Sequence, residues 1–362
     1  MATWWSLLIA IQVVIGSAYF LWFKKKPKKI EDKLTKQKLL NWKPRPLAEF
    51  DGEFEEPPLM GKIDDKVLNV GATSFLCFDK EPIIMDKAIE SLHKYGVGSC
   101  GPRGFYGTID VHLELEERLA KFLQVEETCV YSYGFSTIAS AIPSYAKKND
   151  IIFADEKVWF AIQKGIDAAR STVRYFKHND MNDLEKLLEE ASQKKELNPK
   201  RRAFLVAEAI YFNTGKMCPL RKLVELARRF KLRIILDESL TIGSYRPLNH
   251  QVKTIRIALC NLKHYTFSGD ELSPVKHIYI KDGALNVDEK EKYLKKITKY
   301  IMKKGVAMTI AVYLRDSEIN CPEPSIRLAS SRKLNDENIS LICSLLDEAY
   351  EKVGPKPEIT PI

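Results

Sequence analysis

Two hydrophobic patterns alternate along the middle of the chain. Short apolar runs, typical of buried strands, are separated by longer segments whose apolar residues recur every three or four positions, as in amphipathic helices. The predicted strands are Asp150–Ala154, Thr172–Phe176, Arg202–Ala207 and Leu232–Leu236. The predicted helices are Trp159–Arg170, Met181–Lys194 and Leu220–Phe230. Because strands that alternate with helices form parallel sheets covered on both faces, the pattern predicts an α/β domain.

The same patterns predict elements on both sides of this core. The expected elements are the helices Ile83–Tyr95, Val111–Leu123, Glu289–Lys304 and Asn335–Tyr350 and the strand His277–Ile280. Asp110 precedes the second of these helices, and its carboxylate can accept hydrogen bonds from the first free amides, so it is the predicted N-cap.

The N-terminal region contains an uncharged run from Trp4 to Phe23. A helix of about 20 residues crosses roughly 30 Å of hydrocarbon, so this run is long enough to span a bilayer. Aromatic residues gather at its ends, and five lysines follow within 24–29. The positive-inside rule then places the rest of the chain in the cytosol. A cleaved signal peptide has the reverse charge order, and a buried soluble helix is the third alternative.

Composition narrows the classes of partner and site. The chain has 362 residues and a formal net charge of +9, with a dense lysine block at 24–38. Because base-stacking aromatic residues do not interleave with this block, it indicates a membrane surface and not nucleic acid. The seven cysteines include no C-x-x-C pair, which argues against a disulfide framework or a metal site. We expect reduced thiols facing the cytosol.

A glycine-rich loop leads into the helix that follows Asp110. Between Tyr95 and Leu119 the chain has glycine at 96, 98, 101, 104 and 107 and then changes to helical spacing. Glycine is used where the backbone takes positive φ or passes close to another surface. A loop of this kind is weak evidence by itself, since most such loops are only turns.

The residue order in this segment resembles that of one enzyme family. Tyr-Gly-x-Gly-x-x-Gly-x-Arg-x-x-x-Gly, followed by His-x-x-Leu-Glu, is similar to the α-oxoamine synthases, fold-type-I enzymes that use pyridoxal phosphate to join an amino acid to an acyl-CoA. The string from Gly101 to Glu116 resembles the long-chain-base subunits of serine palmitoyltransferase. The resemblance is dense over 68–243 and resumes over 271–346.

This resemblance implies a large domain with a mostly parallel sheet covered by helices and a small α+β C-terminal domain. The apolar run Trp4–Phe23 adds one transmembrane helix before them. The expected division is an anchor with its basic flank at 1–30, a connector arm at 31–70, a truncated large domain at 71–268 and the small domain at 269–362. Family members carry a long segment where this chain has only 244–271, which indicates an internal deletion or a gene-model artefact. The sheet should therefore lack strands, and we interpret Tyr265–Ser268 as a remnant from just before the crossing into the small domain.

The resemblance also implies residues that would contact the cofactor. The turn Tyr133–Gly134–Phe135 corresponds to the family's phosphate-binding helix N-terminus, although an ordinary strand–helix turn is an equal alternative. Trp159 occupies the place of the histidine that stacks on the cofactor. Asp237 occupies the place of the carboxylate that holds the pyridinium nitrogen protonated, and Leu240 replaces a histidine of catalytic members.

Further functional positions follow from the same resemblance. Arg327 corresponds to the arginine that binds the substrate carboxylate, with a structural role as the alternative. His178 is predicted to be a structural link at a strand end. Cys100, Arg103 and Tyr106 are predicted to line an interface with a partner near the cofactor. The alternatives are that Cys100 fills the loop and that Arg103 binds a carbonyl group.

The most important expectation is that this chain lacks the lysine that would bind the cofactor. Catalytic relatives carry a Schiff-base lysine about one βαβ unit after the aspartate, whereas Tyr265–Asp270 contains none. Lys263 and Lys276 are out of register, and we expect both to be solvated. No residue of this chain is therefore predicted to be catalytic.

The functional expectation is a regulatory or scaffolding subunit of serine palmitoyltransferase, an acyltransferase that condenses L-serine with palmitoyl-CoA to 3-ketosphinganine in sphingolipid biosynthesis. The resemblance implies a heterodimer in the endoplasmic reticulum membrane. In it the catalytic long-chain-base subunit 2 holds pyridoxal 5'-phosphate covalently. Two alternatives stay open: a stand-alone α-oxoamine synthase that uses a non-standard lysine, and an inactive deletion isoform that only binds the partner.

Overall fold

The computed structural model describes residues 66–98, 101–244, 247–281 and 283–355. The chain divides into two compact units, Met1–Gly61 and Lys62–Ile362, and the description concerns the second. The predicted anchor Trp4–Phe23, the lysine block and most of the connector arm lie outside the described residues. Within the described ranges, no helix is both long and apolar enough to span a membrane.

The described part of the chain contains nine α-helices, ten strands and one short 3-10 helix at Phe78–Lys80. The helices are α1 (Pro82–Tyr95), α2 (Asp110–Leu123), α3 (Gly134–Tyr145), α4 (Phe160–Ala169), α5 (Met181–Gln193), α6 (Leu220–Arg229), α7 (Asn249–Cys260), α8 (Val287–Lys303) and α9 (Asp336–Val353). The strands are β1 (Leu68–Asn69), β2 (Ile151–Asp155), β3 (Thr172–Phe176), β4 (Ala203–Glu208), β5 (Arg233–Asp237), β6 (Tyr265–Ser268), β7 (Val275–Ile280), β8 (Val306–Ala307), β9 (Thr309–Ala311) and β10 (Ser325–Ala329).

The predicted α/β core is a four-stranded parallel sheet in the order β3-β2-β4-β5. The two central strands, β2 and β4, are buried at every position, because helices cover both faces of a parallel sheet. Apolar residues of α3, α4, α5 and α6 complete this core. Each predicted strand and helix of this region is confirmed to within two residues at either end.

A second, antiparallel sheet follows in the order β6-β7-β10-β9. It packs with α7, α8 and α9 around a separate apolar cluster. The strand pairing places Ile326 opposite both Ile278 and Ile310. This sheet begins at Tyr265, within the range that the sequence assigned to the truncated large domain.

Tyr265–Ser268 forms β6 and pairs antiparallel with β7, so it is part of the second sheet, and its interpretation as a remnant of the family's large domain stays a prediction. One expectation from the sequence is wrong. Asp110 is not the N-cap of α2, because the helix begins at Asp110 and Ile109 is its cap residue. The Ile109 amide donates to His112 Nδ1 at 3.1 Å. The Asp110 carboxylate accepts from the Val111 amide at 2.7 Å, so its predicted contact with a first-turn amide is confirmed, and it also pairs with Lys94 at 2.8 Å.

Candidate functional site

Acidic side chains end three strands of the parallel sheet. Asp155 ends β2, Glu208 ends β4 and Asp237 ends β5, and Glu208 lies directly opposite Asp237 in the strand register. The carboxyl ends of parallel strands meet at one edge of a sheet, where open α/β folds bind their ligands. This edge is therefore the candidate site.

Asp155 is fully buried and organises the loops around it. Its carboxylate accepts hydrogen bonds from the amides of Lys157 and Asn179, both at 2.8 Å, and lies 2.9 Å from His178 Nδ1. The other ring nitrogen of His178 lies 3.2 Å from Thr214 Oγ1. Because both nitrogens are engaged, the contacts support the predicted structural role of His178.

Glu208 was not identified from the sequence, although it directly follows the apolar run of β4. Its carboxylate is 3% exposed and accepts hydrogen bonds from the amides of Trp159 at 2.7 Å and Phe212 at 2.9 Å. Burial raises the pKa of Glu208 well above its ordinary value, and the nearby Asp237 carboxylate raises this pKa further. Glu208 therefore holds two loops of the edge in position and favours its neutral form.

Aromatic side chains line the edge next to Glu208. Trp159 is the cap residue of α4, and its ring centroid lies 5.3 Å from that of Phe212 and 6.1 Å from that of Phe135. The structure thus brings together two predicted residues, Trp159 and Phe135, with Phe212, which sequence reasoning missed. An aromatic wall of this kind can accept a flat ring by stacking.

The N-terminus of α3 is the predicted phosphate site. Tyr133 precedes the helix and makes no side-chain capping bond. The hydroxyls of Ser136 and Thr137 both donate to the carbonyl oxygen of Tyr133. A Cβ built on Gly134 would meet no atom within 4 Å. An uncapped helix start with open space beside it suits an anion.

Asp237 and Leu240 lie on the turn that leaves β5. Asp237 is partly buried, and its Oδ1 accepts a hydrogen bond from the Ser239 amide at 2.8 Å. Leu240 is 6% exposed and belongs to a small apolar cluster with Phe75, Leu248 and other residues. The residue that replaces a histidine of catalytic relatives is thus a core residue here.

Arg327 reaches the aromatic wall from the antiparallel sheet. Its guanidinium carbon lies 4.2 Å from the centroid of the Phe212 ring. Its Nε is buried and has no hydrogen-bond partner among the described residues, and burial lowers the pKa of the guanidinium. A desolvated cation with an unpaired donor can receive a carboxylate, and the substrate-carboxylate role of Arg327 stays a prediction.

Arg103 of the glycine loop binds its own neighbouring helix. Its two terminal nitrogens contact the Glu116 carboxylate at 3.0 and 2.9 Å, and its Nε donates to Thr108 at 3.0 Å. The Arg103 guanidinium, with the Val130 amide, lowers the pKa of Glu116 to about 2. These contacts favour a structural role for Arg103 within this chain.

Of the other two predicted loop residues, Tyr106 and Cys100, the structure describes Tyr106. Tyr106 is 81% exposed and adopts a left-handed conformation with φ of 56°. It borders a cavity of about 570 Å³ between the loop and α1. Cys100 lies outside the described residues. The predicted interface role of these residues stays a prediction.

The prediction for Lys276 is wrong. Lys263 is exposed as expected, but Lys276 is fully buried, as are its neighbours Val275 and His277 on β7. Its amine donates to the carbonyl oxygens of Asp270 and, at 2.9 Å, Ser273. Burial lowers the pKa of Lys276 to about 8. These hydrogen bonds tie the amine to the turn between β6 and β7.

The site residues fit part of a pyridoxal phosphate site. The open α3 N-terminus suits the phosphate, Trp159 suits the ring and Asp237 suits the pyridinium nitrogen. The described part of the chain contains no group of three or more acidic, histidine or cysteine side chains placed to hold a metal ion.

Comparison with known proteins agrees with this arrangement. The chain is 45% identical over 212 residues to long chain base biosynthesis protein 1b of rice (Oryza sativa subsp. japonica), a match that covers 56% of this chain and 44% of that protein. It is 43% identical over 178 residues to serine palmitoyltransferase 1 of Dictyostelium discoideum, a match that covers 49% of this chain and 37% of that protein. It is 38% identical over 180 residues to serine palmitoyltransferase 1 of Saccharomyces cerevisiae, a match that covers 49% of this chain and 32% of that protein. The chain thus spans less than half the length of these relatives.

Solved structures share the fold. A serine palmitoyltransferase from Sphingomonas wittichii superposes with a TM-score of 0.68 at 16% identity, covering 80% of this chain and 88% of that one. A structure of SPT with PLP internal aldimine superposes with a TM-score of 0.68 at 15% identity, covering 80% of this chain and 88% of that one. The family model described as aminotransferase class I and II matches residues 65–266, more than half of the chain. The chain therefore belongs to the aminotransferase class I and II family.

Proposed function

We propose that this chain is a regulatory or scaffolding subunit of serine palmitoyltransferase that holds no cofactor covalently. The relatives named above support the assembly, whose reaction would condense L-serine with palmitoyl-CoA to 3-ketosphinganine. The observation that best supports this proposal is the edge of the parallel sheet. This edge combines an uncapped helix N-terminus that suits an anion, an aromatic wall and a carboxylate. The buried amine of Lys276 is instead bound to turn carbonyls.

The proposed cofactor is pyridoxal 5'-phosphate, which one of the solved neighbours contains. In this chain, the amides at the start of α3 would face the phosphate, Trp159 would stack on the ring and Asp237 would face the pyridinium nitrogen. When bound, this cofactor supplies an electron sink for a substrate carbanion. The missing lysine is a property we propose for this chain, and the catalytic long-chain-base subunit 2 would supply it in a heterodimer.

Arg327 is the proposed partner of a carboxylate. Its guanidinium has an unpaired buried nitrogen and stacks on Phe212, so binding an anion there would pair a cation that is otherwise desolvated. The carboxylate of L-serine has the charge and planar shape that suit such a donor.

The glycine loop and the N-terminal segment complete the proposal. Cys100, Arg103 and Tyr106 would lie near the heterodimer interface, and Tyr106 is exposed enough to contact a partner. The apolar run Trp4–Phe23 would anchor the assembly in the endoplasmic reticulum membrane by a single pass, with the bulk of the chain in the cytosol. Detection of both subunits in one detergent-extracted complex tests this arrangement.

Two spectra separate the proposal from its first alternative. The full chain, purified alone in detergent and mixed with pyridoxal phosphate, should show no absorbance band of a lysine-bound cofactor, while the co-expressed assembly should show one. A stand-alone α-oxoamine synthase would show the band by itself. For the second alternative, an inactive isoform, co-expression should yield a bound partner but no product.

Arg103→Ala in the co-expressed assembly tests the loop. Because Arg103 holds the loop to α2 through Glu116, loss of assembly or activity is expected. Unchanged assembly and activity would show that the loop has no part in the interface. Arg118→Ala is the control, since Arg118 pairs with Glu114 on the exposed surface of the same helix.

A further inference from the structure

β5 is an edge strand with the sequence of a central strand. In the described part of the chain it pairs only with β4. Its three middle residues, Ile234, Ile235 and Leu236, form a continuous apolar run, which is typical of strands covered on both faces and paired on both sides. An exposed apolar edge readily pairs with another chain.

The opposite edge strand of the same sheet carries a charged residue in its centre, and β5 does not. β3 carries Arg174 in its centre, and this side chain forms a salt bridge of 2.7 Å with Glu196. A charged residue at an edge strand hinders further pairing. On β5 the charged residues, Arg233 and Asp237, stand only at the two ends.

The direction of the backbone groups in β5 determines which amides and carbonyls can pair with a further strand. The carbonyl oxygen of Asp237 accepts a hydrogen bond from the Ala209 amide, on the side of β4. Backbone groups of alternate residues point to opposite sides of a strand, so those of Arg233 and Ile235 also point to β4. The amide and carbonyl groups of Ile234 and Leu236 therefore face the open edge.

We propose that two copies of this chain associate through antiparallel pairing of their β5 strands around a two-fold axis at Ile235. In this register Ile234 of one copy lies opposite Leu236 of the other, and the free groups of both form a hydrogen-bonded pair. Arg233 lies opposite Asp237 of the second copy, so each dimer gains two pairs of opposite charge. The pattern Arg-Ile-Ile-Leu-Asp is self-complementary only about its central residue.

The paired strands join two four-stranded sheets into one of eight strands. A two-fold axis makes the contact isologous, so it closes after two copies and does not propagate into a fibre. This inference shares Asp237 with the candidate site but does not rest on the proposed function, because it is argued from the pairing, direction and charges of β5 alone. Its tests measure association of the full chain alone.

Cysteine cross-linking tests the register. In the full chain in detergent, Ile235→Cys should form an intermolecular disulfide under mild oxidation, because opposite residues in a non-hydrogen-bonded pair have Cα atoms about 4.5 Å apart, within disulfide range. Val173→Cys on β3 is the matched control, with the same native cysteines, and should give no added cross-link. A monomer at all concentrations, or equal cross-linking of the two variants, would overturn the proposal.

Charge reversal tests the pairing without introducing a thiol. Arg233 is exposed, so Arg233→Glu should leave the fold intact but place like charges opposite each other, weakening self-association about tenfold. Combining it with Asp237→Lys restores opposite pairs and should restore the dimer in analytical ultracentrifugation. Failure of the double variant to recover, with its circular dichroism unchanged, would contradict the register.

Discussion

The guanidinium of Arg327 lies over the ring of Phe212, with 4.2 Å between its central carbon and the ring centroid. Phe212 also contacts Trp159, so one side chain joins the antiparallel sheet to the edge of the parallel sheet. The arginine side chain and its aromatic neighbours thus form one wall of the candidate site, built from residues that are far apart in the sequence.

Removing this ring should destabilise the protein. Phe212→Leu loses a partly desolvated cation–π contact and aromatic packing, together about 1–3 kcal/mol of the free energy of unfolding. Phe78→Leu is the control, because Arg332 lies 5.6 Å from the Phe78 centroid and Phe78 is 50% exposed. Urea unfolding of the full chain in detergent measures both variants. Equal losses of unfolding free energy in the two variants would show that Phe212 does not stabilise the contact between the two sheets.

Glu208 should give the stability a distinctive pH dependence. Its folded-state pKa is raised above the ordinary value of 4.5, so the folded state binds the proton more tightly than the unfolded state. Stability should therefore decline as the pH rises from about 4.5 through the folded-state pKa.

The variant Glu208→Gln should remove that decline, because an amide does not titrate. The measurement is the free energy of unfolding between pH 5 and 8, with Glu238→Gln as an exposed control on the following turn. If wild type and Glu208→Gln have the same slope against pH, the carboxyl is not held in its neutral form.

The glycine loop should tolerate substitution at one position and not at another. A Cβ on Gly107 would lie 1.9 Å from the carbonyl oxygen of Gly101, whereas one on Gly104 would meet nothing within 4 Å. Gly107→Ala should force the loop open at a cost of about 1–3 kcal/mol, and Gly104→Ala should have little effect. Limited proteolysis of the loop reports this difference, and identical cleavage rates would contradict the close approach.

Lys276 should matter for stability although it lies outside the candidate site. Lys276→Met keeps the apolar stem but leaves the carbonyls of Asp270 and Ser273 without their donor, at a cost of about 1–3 kcal/mol. Lys263→Met, on the exposed surface, should change the free energy of unfolding by less than about 0.5 kcal/mol. Comparable losses in the two variants would mean that the turn does not depend on the buried amine.

The sequence was sufficient for the alternation of strands and helices, because each element carries its own periodicity. Thr172–Phe176 is confirmed at both ends as β3. The family resemblance of the sequence assigned Trp159 and Phe135 to one site, and the structure brings the two rings together. Residues whose role depends on distant partners were harder to identify.

Three residues show why the rest could not be predicted. Phe212 is important because Arg327 lies above it, a contact between residues 115 positions apart. Glu208 is important because two loop amides converge on it. Lys276 looked solvated, and its burial follows from the pairing of β7 with β6 and β10, which no local pattern encodes.

The most direct test of the proposed function is where the cofactor becomes attached. The full chain and its co-expressed catalytic partner are incubated with pyridoxal phosphate, reduced with borohydride and separated for mass spectrometry. We expect a cofactor-sized mass increase on the partner and none on this chain, alone or assembled. A reduced cofactor adduct on a lysine of this chain would contradict it.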